Sequence, residues 1–219
     1  MPRVLCLKCL NPVQDEYLPE DGLADSAYKA GDICAIKEGT HVPIYLLLAP
    51  GRRVPVQLLN SDDYRPRPCV VLNNRAESDD PGPVSPSGRT ICLMATFNGG
   101  TRLEDLPEVL QLNCMPISPH YLCQSGMRHI HTSPEWPKEN AWVILHGYDT
   151  EKPFSGHWRN MASQTPNQSF YQLDTETLSA VIRLSKARRA QWEEYCIHDK
   201  GMRRRCYAEY QVRSAASWI

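Results

Sequence analysis

The sequence predicts an α+β fold rich in β-strand, and three observations carry this prediction. Short runs of β-branched and aliphatic residues, bounded by glycine, proline and asparagine, recur along the chain and are typical of short strands joined by turns. The chain has 18 prolines among its 219 residues, and helical patterns are scarce before residue 174. From residue 174 onward, apolar residues recur at spacings of three and four, which indicates an amphipathic helix.

Composition and charge are those of an ordinary globular protein. Hydrophobic residues make up 42% of the chain and charged residues 22%, so wholesale disorder is not expected. The length suffices for one large domain or two small ones. The formal net charge of -1 predicts no general attraction to nucleic acid or to anionic membranes, so binding to either needs a local basic patch.

The nine cysteines do not have the pattern of a disulfide scaffold, because they are odd in number and scattered singly apart from Cys6 and Cys9. No apolar run approaches the roughly 20 residues that span a bilayer. The N-terminus lacks a basic stretch followed by an apolar core, so we expect neither a membrane span nor a secretory signal. A reducing intracellular compartment follows as the default, and we expect the cytoplasm, with the nucleus left open.

The first predicted elements are strands. A Gly-Asp pair at residues 31–32 opens a strand over residues 33–37. Two further runs, over residues 44–48 and 54–59, flank a Pro-Gly-Arg-Arg turn signal at residues 50–53. This arrangement predicts a β-hairpin.

The next two strands carry polar side chains at their ends. Arg67 and a proline lead into a buried-type strand over residues 69–72, and a loop rich in Ser, Pro, Gly and Asp follows over residues 73–89. A second apolar strand over residues 90–97 contains Thr96 near its end. A small β-barrel built from these strands would bring Arg67 and Thr96 together at one mouth, where they could hold a phosphate.

Three weaker strands and two helices complete the prediction. The strands cover residues 109–117, 141–146 and 170–173. Asp174 is a good N-cap for the first helix, since its carboxylate can accept from a free backbone N–H. A glycine at position 201 ends that helix, and residues 202–218 form the second. The apolar stripe of the first helix consists of Leu178, Val181, Ile182, Ser185, Arg189, Trp192 and Cys196.

Five pieces of the chain, taken in order, resemble the MazF/PemK family of endoribonuclease toxins. In that family a Gly-Asp pair opens the first strand, and an Arg-Pro pair precedes an aliphatic strand. Another strand then ends in Thr or Ser. A Leu-Pro pair and a further strand follow, and a C-terminal helix completes the fold. The matching pieces are Gly31-Asp32-Ile33, Arg67-Pro68-Cys69-Val70-Val71-Leu72, Ile91 to Thr96, Leu106-Pro107-Glu108-Val109-Leu110, and Leu173-Asp174 followed by Leu178, Val181 and Ile182.

The resemblance implies a small SH3-like β-barrel, here with an inserted hairpin, long loops and C-terminal amphipathic helices. It divides the chain into a polar N-terminal arm at residues 1–30, a single barrel domain with insertions at residues 31–200, and a C-terminal helical tail at residues 201–219. The intervals before Arg67 and over residues 116–170 are longer than a typical family member needs, so the chain resembles a distant, elaborated relative.

The resemblance also implies a function, which is the binding and metal-independent cleavage of single-stranded RNA by attack of a 2′-hydroxyl on the adjacent phosphate. That reaction needs proton transfer and stabilisation of charge on the phosphate oxygens. The family pattern assigns the catalytic positions to Arg67, whose planar fork suits phosphate, and Thr96, which can donate to it. It implies no cofactor and no metal, and it implies a homodimer.

The same residues are compatible with a barrel that cleaves nothing. An arginine between two prolines also anchors surface turns, and a threonine at a strand end also satisfies local backbone groups. In the alternative function, the protein is a non-catalytic interaction module whose groove binds a nucleic acid or a protein partner. The sequence does not identify the protein partner.

A local basic bias marks residues 183–205, which carry eight basic side chains against three acidic ones. With aromatic residues nearby, this segment could bind a phosphate backbone while the rings stack on bases. The alternative is a solvated helix face whose aromatic side chains pack inward. The candidate nucleic-acid-binding residues are Arg188, Arg189, Trp192, Arg203, Arg204 and Arg205.

Cys6 and Cys9 have the spacing of half a zinc site, but the chain has no second Cys-x-x-Cys. Two other pairs, His129 with His131 and Cys196 with His198, have residues two apart, which share a face on a strand and could chelate there. Ordinary thiols and surface histidines are the favoured explanation of these residues, so no metal site is predicted.

Overall fold

A computed structural model describes residues 28–59, 65–74, 89–97, 102–125, 127–160 and 170–215, and the structural statements that follow concern these residues. Most of the predicted arm at residues 1–30 and of the predicted loop at residues 73–89 lies outside them. The division of the chain into arm, domain and tail stays a prediction.

The core of the fold is a seven-stranded antiparallel sheet. The hydrogen-bonded order is β4-β5-β3-β2-β1-β7, and β6 pairs with β3 beside β5. Over the described residues the two ends of this order do not pair, so the sheet is open, and the SH3-like barrel stays a prediction. The strands are β1 (Ile33–Ile36), β2 (Arg67–Asn74), β3 (Arg89–Ala95), β4 (Cys114–Pro116), β5 (Trp142–Ile144), β6 (Tyr148–Thr150) and β7 (Phe154–His157).

The central strand β2 is buried on both faces. Cys69 pairs with Cys34 of β1 on one side and with Leu93 of β3 on the other, and these three side chains lie in one layer. The next residue, Val70, lies in the opposite layer, because successive side chains of a strand point to opposite faces. Two-sided burial explains why these strands read as continuous apolar runs. The predicted strands over residues 33–37, 69–72, 90–97 and 141–146 are confirmed.

Two hydrophobic layers therefore cover the sheet. The first core layer includes Cys34, Cys69, Val71, Ile91 and Leu93, and the second core layer includes Ile33, Val70, Cys92, Met94 and Val143. The helices that cover them are α1 (His41–Leu48), α2 (Val56–Leu59), α3 (Glu108–Asn113), α4 (Thr175–His198) and α5 (Met202–Ala215). No helix in the described ranges has the length and apolar character needed to cross a membrane.

The predicted hairpin over residues 44–59 is wrong, because α1 and α2 occupy its two arms. The first arm ends in three leucines, which are good helix formers, and nothing in its apolar run alternates as a half-buried strand would. Pro43 fits because it lies in the first turn of α1, where the backbone N–H has no helical partner. The turn at residues 50–53 is real, with Gly51 at φ +74°, but it follows a helix.

Two further predictions need correction. Residues 109–117 form a helix and then a strand: Val109, Leu110 and Asn113 of α3 are buried at helical spacing, and β4 begins directly afterwards. The predicted strand over residues 170–173 is wrong as a strand, because only isolated bridges form there, one from Arg159 to Phe170 and two to Gln172, from Asp32 and from Ser133.

The two C-terminal helices confirm the sequence pattern. Asp174 caps α4, with its carboxylate accepting from the Thr177 N–H at 2.7 Å. Helix α4 crosses between the layers, since Val181 lies in the second core layer and Trp192 in the first. Helix α5 inserts three side chains one turn apart, Met202, Cys206 and Tyr210, into the first core layer.

Removal of the α4 cap tests this account. We expect Asp174→Ala to lower the free energy of unfolding by about 1 kcal/mol, because the first turn of α4 loses an acceptor for its backbone N–H. A urea titration followed by circular dichroism measures this. Ser179→Ala, at an exposed position of the same helix, is the control and should change stability by less than about 0.5 kcal/mol. Equal effects of the two substitutions would contradict the cap.

Candidate functional site

Arg67 and Thr96 lie at the same end of the sheet. Arg67 is the first residue of β2 and pairs with Ile36, while Thr96 directly follows Ala95, the last residue of β3. Because β2 and β3 are antiparallel neighbours, the start of one lies beside the end of the other. The strand register therefore puts Arg67 and Thr96 at the same end of the β2–β3 pair.

The two side chains belong to different sides of the strand path. Arg67 is two residues before Cys69 and therefore shares its face, that of the first core layer. Thr96 lies between Ala95 and Phe97, which both pack into the first core layer. Because successive side chains point to opposite faces of a strand, the Thr96 side chain points to the face opposite that layer. Both residues are half-buried. Their meeting around one phosphate stays a prediction.

A histidine that sequence reasoning did not select lies near Arg67. His41 begins α1, and its Nδ1 is hydrogen-bonded with the Tyr210 hydroxyl of α5. Burial, and then the positive charge of Arg67, lowers the pKa of His41. The imidazole is therefore neutral near pH 7 and can accept a proton. No sequence signal marked this residue, since the contact joins elements 169 positions apart.

A buried carboxylate, Glu38, follows β1 and is only 3% exposed. The Tyr148 and Thr150 hydroxyls donate to its Oε2 at 2.9 and 3.1 Å. Burial raises the pKa of Glu38, while these hydrogen bonds and the nearby Lys152 ammonium oppose the rise. Lys152 also donates to the backbone carbonyls of Lys37 and Leu59, at 2.9 and 2.6 Å. These contacts tie β6 to β1 and α2, which is a structural role.

At the opposite end of β1, a second polar pair joins Asp32 to His157. The Nε2 of His157 lies 3.1 Å from the Asp32 Oδ2, and the same oxygen accepts from the Lys29 N–H at 2.9 Å. Asp32 is buried, whereas the His157 side chain is 27% exposed. The register explains the contact, because His157 of β7 pairs with Cys34, two residues after Asp32. The sequence showed Asp32 only as a strand opener.

Arginine and aromatic side chains extend from this pair in a continuous chain of contacts, here called the arginine–aromatic row. The Arg89 guanidinium lies over the rings of Tyr28 and Phe154, at 5.3 and 4.8 Å from their centroids. The His157 ring is 5.0 Å from Tyr28 and 4.8 Å from Phe170. The Arg159 guanidinium lies 5.8 Å from the Phe170 ring. The members of the row are Arg89, Tyr28, Phe154, His157, Phe170 and Arg159.

The structure separates the candidate nucleic-acid-binding residues of the tail. Trp192 is 1% exposed and its indole N–H donates to the Leu47 carbonyl at 3.0 Å, so no base can stack on it without opening the core. Arg203 is ion-paired with Glu193, and Arg205 with Asp199.

The remaining three arginines of that set differ in exposure. Arg188 is half-buried and donates to the Gln191 amide oxygen at 2.8 Å, while Arg189 and Arg204 are exposed. Part of the basic bias is therefore neutralised within the fold, which favours the solvated helix face over a continuous phosphate-binding patch.

The metal ligands considered from the sequence form no complete site within the described residues. Cys6 and Cys9 lie outside the described residues. Cys196 and His198 belong to α4, where residues two apart do not share a face, so the chelation considered for a strand does not apply. The His129 and His131 rings are 4.9 Å apart. Within the described residues, no group of three or more potential ligands is close enough to hold a metal ion.

Comparison of the chain with protein-family models, with curated proteins and with solved structures finds no match. The resemblance to the MazF/PemK family therefore rests on the ordered motifs.

The raised pKa of Glu38 gives a pH-dependent prediction. The folded state binds a proton there more tightly than the unfolded chain does, so the stability from this group is complete at low pH. It is lost as the pH rises from the ordinary glutamate pKa through the raised value. Glu38→Gln removes the ionisation and keeps an acceptor for the two hydroxyls. We expect its free energy of unfolding, relative to wild type, to increase as the pH rises above the ordinary glutamate pKa of about 4.3.

Urea titrations of both proteins at each pH measure this difference. Glu151→Gln, at an exposed position one residue after β6, is the control for loss of a glutamate charge. A relative stability of Glu38→Gln that stays constant or falls over this pH range would contradict the assignment.

Proposed function

We propose that this protein binds single-stranded RNA at the Arg67 end of the sheet and cleaves it without a metal ion, as an elaborated relative of the MazF/PemK barrel. One observation carries the proposal: β1, β2 and β3, whose sequences bear the family resemblance, are hydrogen-bonded neighbours, and Arg67 and Thr96 are at one end of the β2–β3 pair. The shared end supports a phosphate site there.

The chemistry assigns each group a step. Arg67 donates parallel hydrogen bonds to two phosphate oxygens and stabilises the charge that develops on them during attack by the 2′-hydroxyl. Thr96 donates to the same phosphate. The neutral His41 imidazole is the proton acceptor of this proposal, because arginine, which holds its proton up to about pH 12, is a poor base. As the bond from the 2′-oxygen to phosphorus forms, the bond to the 5′-oxygen breaks, and this leaving oxygen takes a proton from water. The products are a 2′,3′-cyclic phosphate and a free 5′-hydroxyl.

A second function, a non-catalytic module that binds RNA or a protein, is favoured by one observation. The strand alternation directs Arg67 and Thr96 to different sides. If they do not share one phosphate, the Arg67 end can hold a ligand without accelerating its cleavage.

An RNA cleavage assay distinguishes these functions. Labelled single-stranded RNA is incubated in EDTA with wild type, Arg67→Ala, Arg67→Lys and Arg52→Ala. We expect cleavage by wild type and a rate lower by about 10²-fold or more for Arg67→Ala, through loss of transition-state charge stabilisation. Arg67→Lys should lie between them, because lysine keeps the charge and loses the planar fork. Arg52→Ala, at an exposed turn position, should match wild type.

The outcomes separate the assignments. Equal cleavage by wild type and Arg67→Ala would mean that Arg67 is not the catalytic residue. RNA that stays intact with every variant rejects the nuclease. If that intact RNA is nevertheless bound, and the binding is lost in Arg67→Ala, the second function is supported.

The role of His41 predicts a pH–rate profile. We expect kcat/KM of the wild type to fall on acidification only below the pH at which an ordinary histidine titrates, because the pKa of His41 is lowered. His41→Gln should remove this acid limb and reduce the rate by about 10²-fold or more. His198→Gln, at an exposed position of α4, is the control. An acid limb retained in His41→Gln would assign the base elsewhere.

A further inference from the structure

The arginine–aromatic row follows β7, which is the edge strand beside β1. Phe154 pairs with Ile36, the last residue of β1 and the partner of Arg67, whereas His157 pairs with Cys34 and contacts Asp32 at the other end. The part of the row formed by His157, Phe170 and Arg159 therefore lies away from the site proposed for cleavage.

The arginines of the row are available for an anion. Within the described part of the chain, neither Arg89 nor Arg159 is ion-paired with a carboxylate, in contrast to Arg203 and Arg205 of the tail. Each lies instead over an aromatic ring, a contact that holds the guanidinium in place.

The histidine of the row is held in one orientation. Its Nε2 faces the Asp32 carboxylate at 3.1 Å, and that carboxylate is fixed in turn by the Lys29 N–H. Within the described residues the Nδ1 of His157 has no hydrogen bond, and the side chain is 27% exposed. Packing of the strand edge does not require the buried Asp32 carboxylate, because an apolar residue in its place would pack without the cost of desolvating a charge. Its role is to orient the imidazole of His157.

The outer part of the row faces solvent. Phe170 is 42% exposed and lies between His157 and the exposed Arg159. An exposed aromatic face flanked by an imidazole and a guanidinium about 5 to 6 Å away matches the needs of single-stranded nucleic acid, in which unpaired bases stack on rings and phosphates contact arginine. A duplex buries the base faces that such stacking uses.

We propose that the arginine–aromatic row is a second binding site for single-stranded RNA, with a base stacked on Phe170 and an adjacent phosphate contacted by Arg159 and His157. The inference rests on the proposed function for the identity of the nucleic acid. It does not need cleavage, because the row acts as a binding site only. It would hold a strand at a distance from the Arg67 end and so lengthen the RNA that the protein engages.

The test is a binding titration with a labelled 2′-O-methyl oligouridylate, in which the attacking 2′-hydroxyl is blocked and cleavage is prevented. Fluorescence anisotropy is measured for wild type, Phe170→Ala, Phe170→Trp, Arg159→Ala and Arg67→Ala, and labelled polyglutamate serves as a second probe. The matched controls are Tyr121→Ala and Arg52→Ala, which remove another exposed ring and another exposed arginine. Circular dichroism confirms that each variant is folded.

We expect Phe170→Ala to weaken binding roughly 5- to 150-fold, the equivalent of one stacked base, and Phe170→Trp to bind at least as tightly as wild type. Arg159→Ala should weaken binding and reduce the salt dependence by about 0.7 in the log–log slope, as for one lost phosphate contact on a single strand. The controls should bind as wild type does.

The results distinguish this inference from the nuclease proposal. Binding that is unaffected by Phe170→Ala and Arg159→Ala but lost in Arg67→Ala overturns the second site and leaves the proposed function standing. Binding that needs Phe170 and Arg159, in a protein that cleaves no RNA, upholds the second site and rejects the nuclease. No binding by wild type overturns both RNA sites. Affinity for polyglutamate through Phe170 and Arg159, without affinity for the oligouridylate, assigns the row to an acidic protein partner instead.

Discussion

The strands β1, β2 and β3 are covered by apolar side chains on both faces, and every other feature of the fold depends on this. Fully burying one aliphatic side chain contributes about 1.5 to 3 kcal/mol, and the three strands alone supply such side chains to both core layers. One layer is covered by α1, α3, α5 and the end of α4, and the other by the start of α4 and by Trp136 and Tyr171 from two separate segments. Helix α4 reaches both layers, so its position follows from the sheet.

Two-sided burial also decides where polar chemistry can occur. Polar side chains are excluded from the middle of the central strands, and they gather where the strands begin and end. Arg67 and Thr96 lie at one end, and Asp32 and Arg89 lie at the other. Each end then acquires a histidine from a distant element, His41 from α1 and His157 from β7. The molecule thus has two polar regions separated by the length of a strand.

The charged side chains fall into two groups according to their partners. Glu38 is inside the protein and is satisfied by hydroxyl donors, and Arg203 and Arg205 are neutralised by carboxylates within the C-terminal helices. These groups serve the fold. Arg89 and Arg159 instead lie over aromatic rings. A protein with a net charge of -1 can bind an anion only through such local arrangements, since its overall field provides no attraction.

The sequence by itself determined the β-rich α+β class, the central strands and the long C-terminal helix, because these depend on local periodicity and on a cap such as Asp174. It also placed Arg67 and Thr96 at strand ends. It did not distinguish the apolar run of α1 from a strand, because a short buried segment has no exposed face and therefore no period to read. Only the tertiary structure decided that Trp192 is buried, that Arg203 and Arg205 are paired, and that Asp32 meets His157. The contacts of Trp192 and Asp32 join residues more than a hundred positions apart, and those of Arg203 and Arg205 depend on how α5 folds back against the end of α4. Neither spacing nor composition carries information about which side chains this packing will bring together.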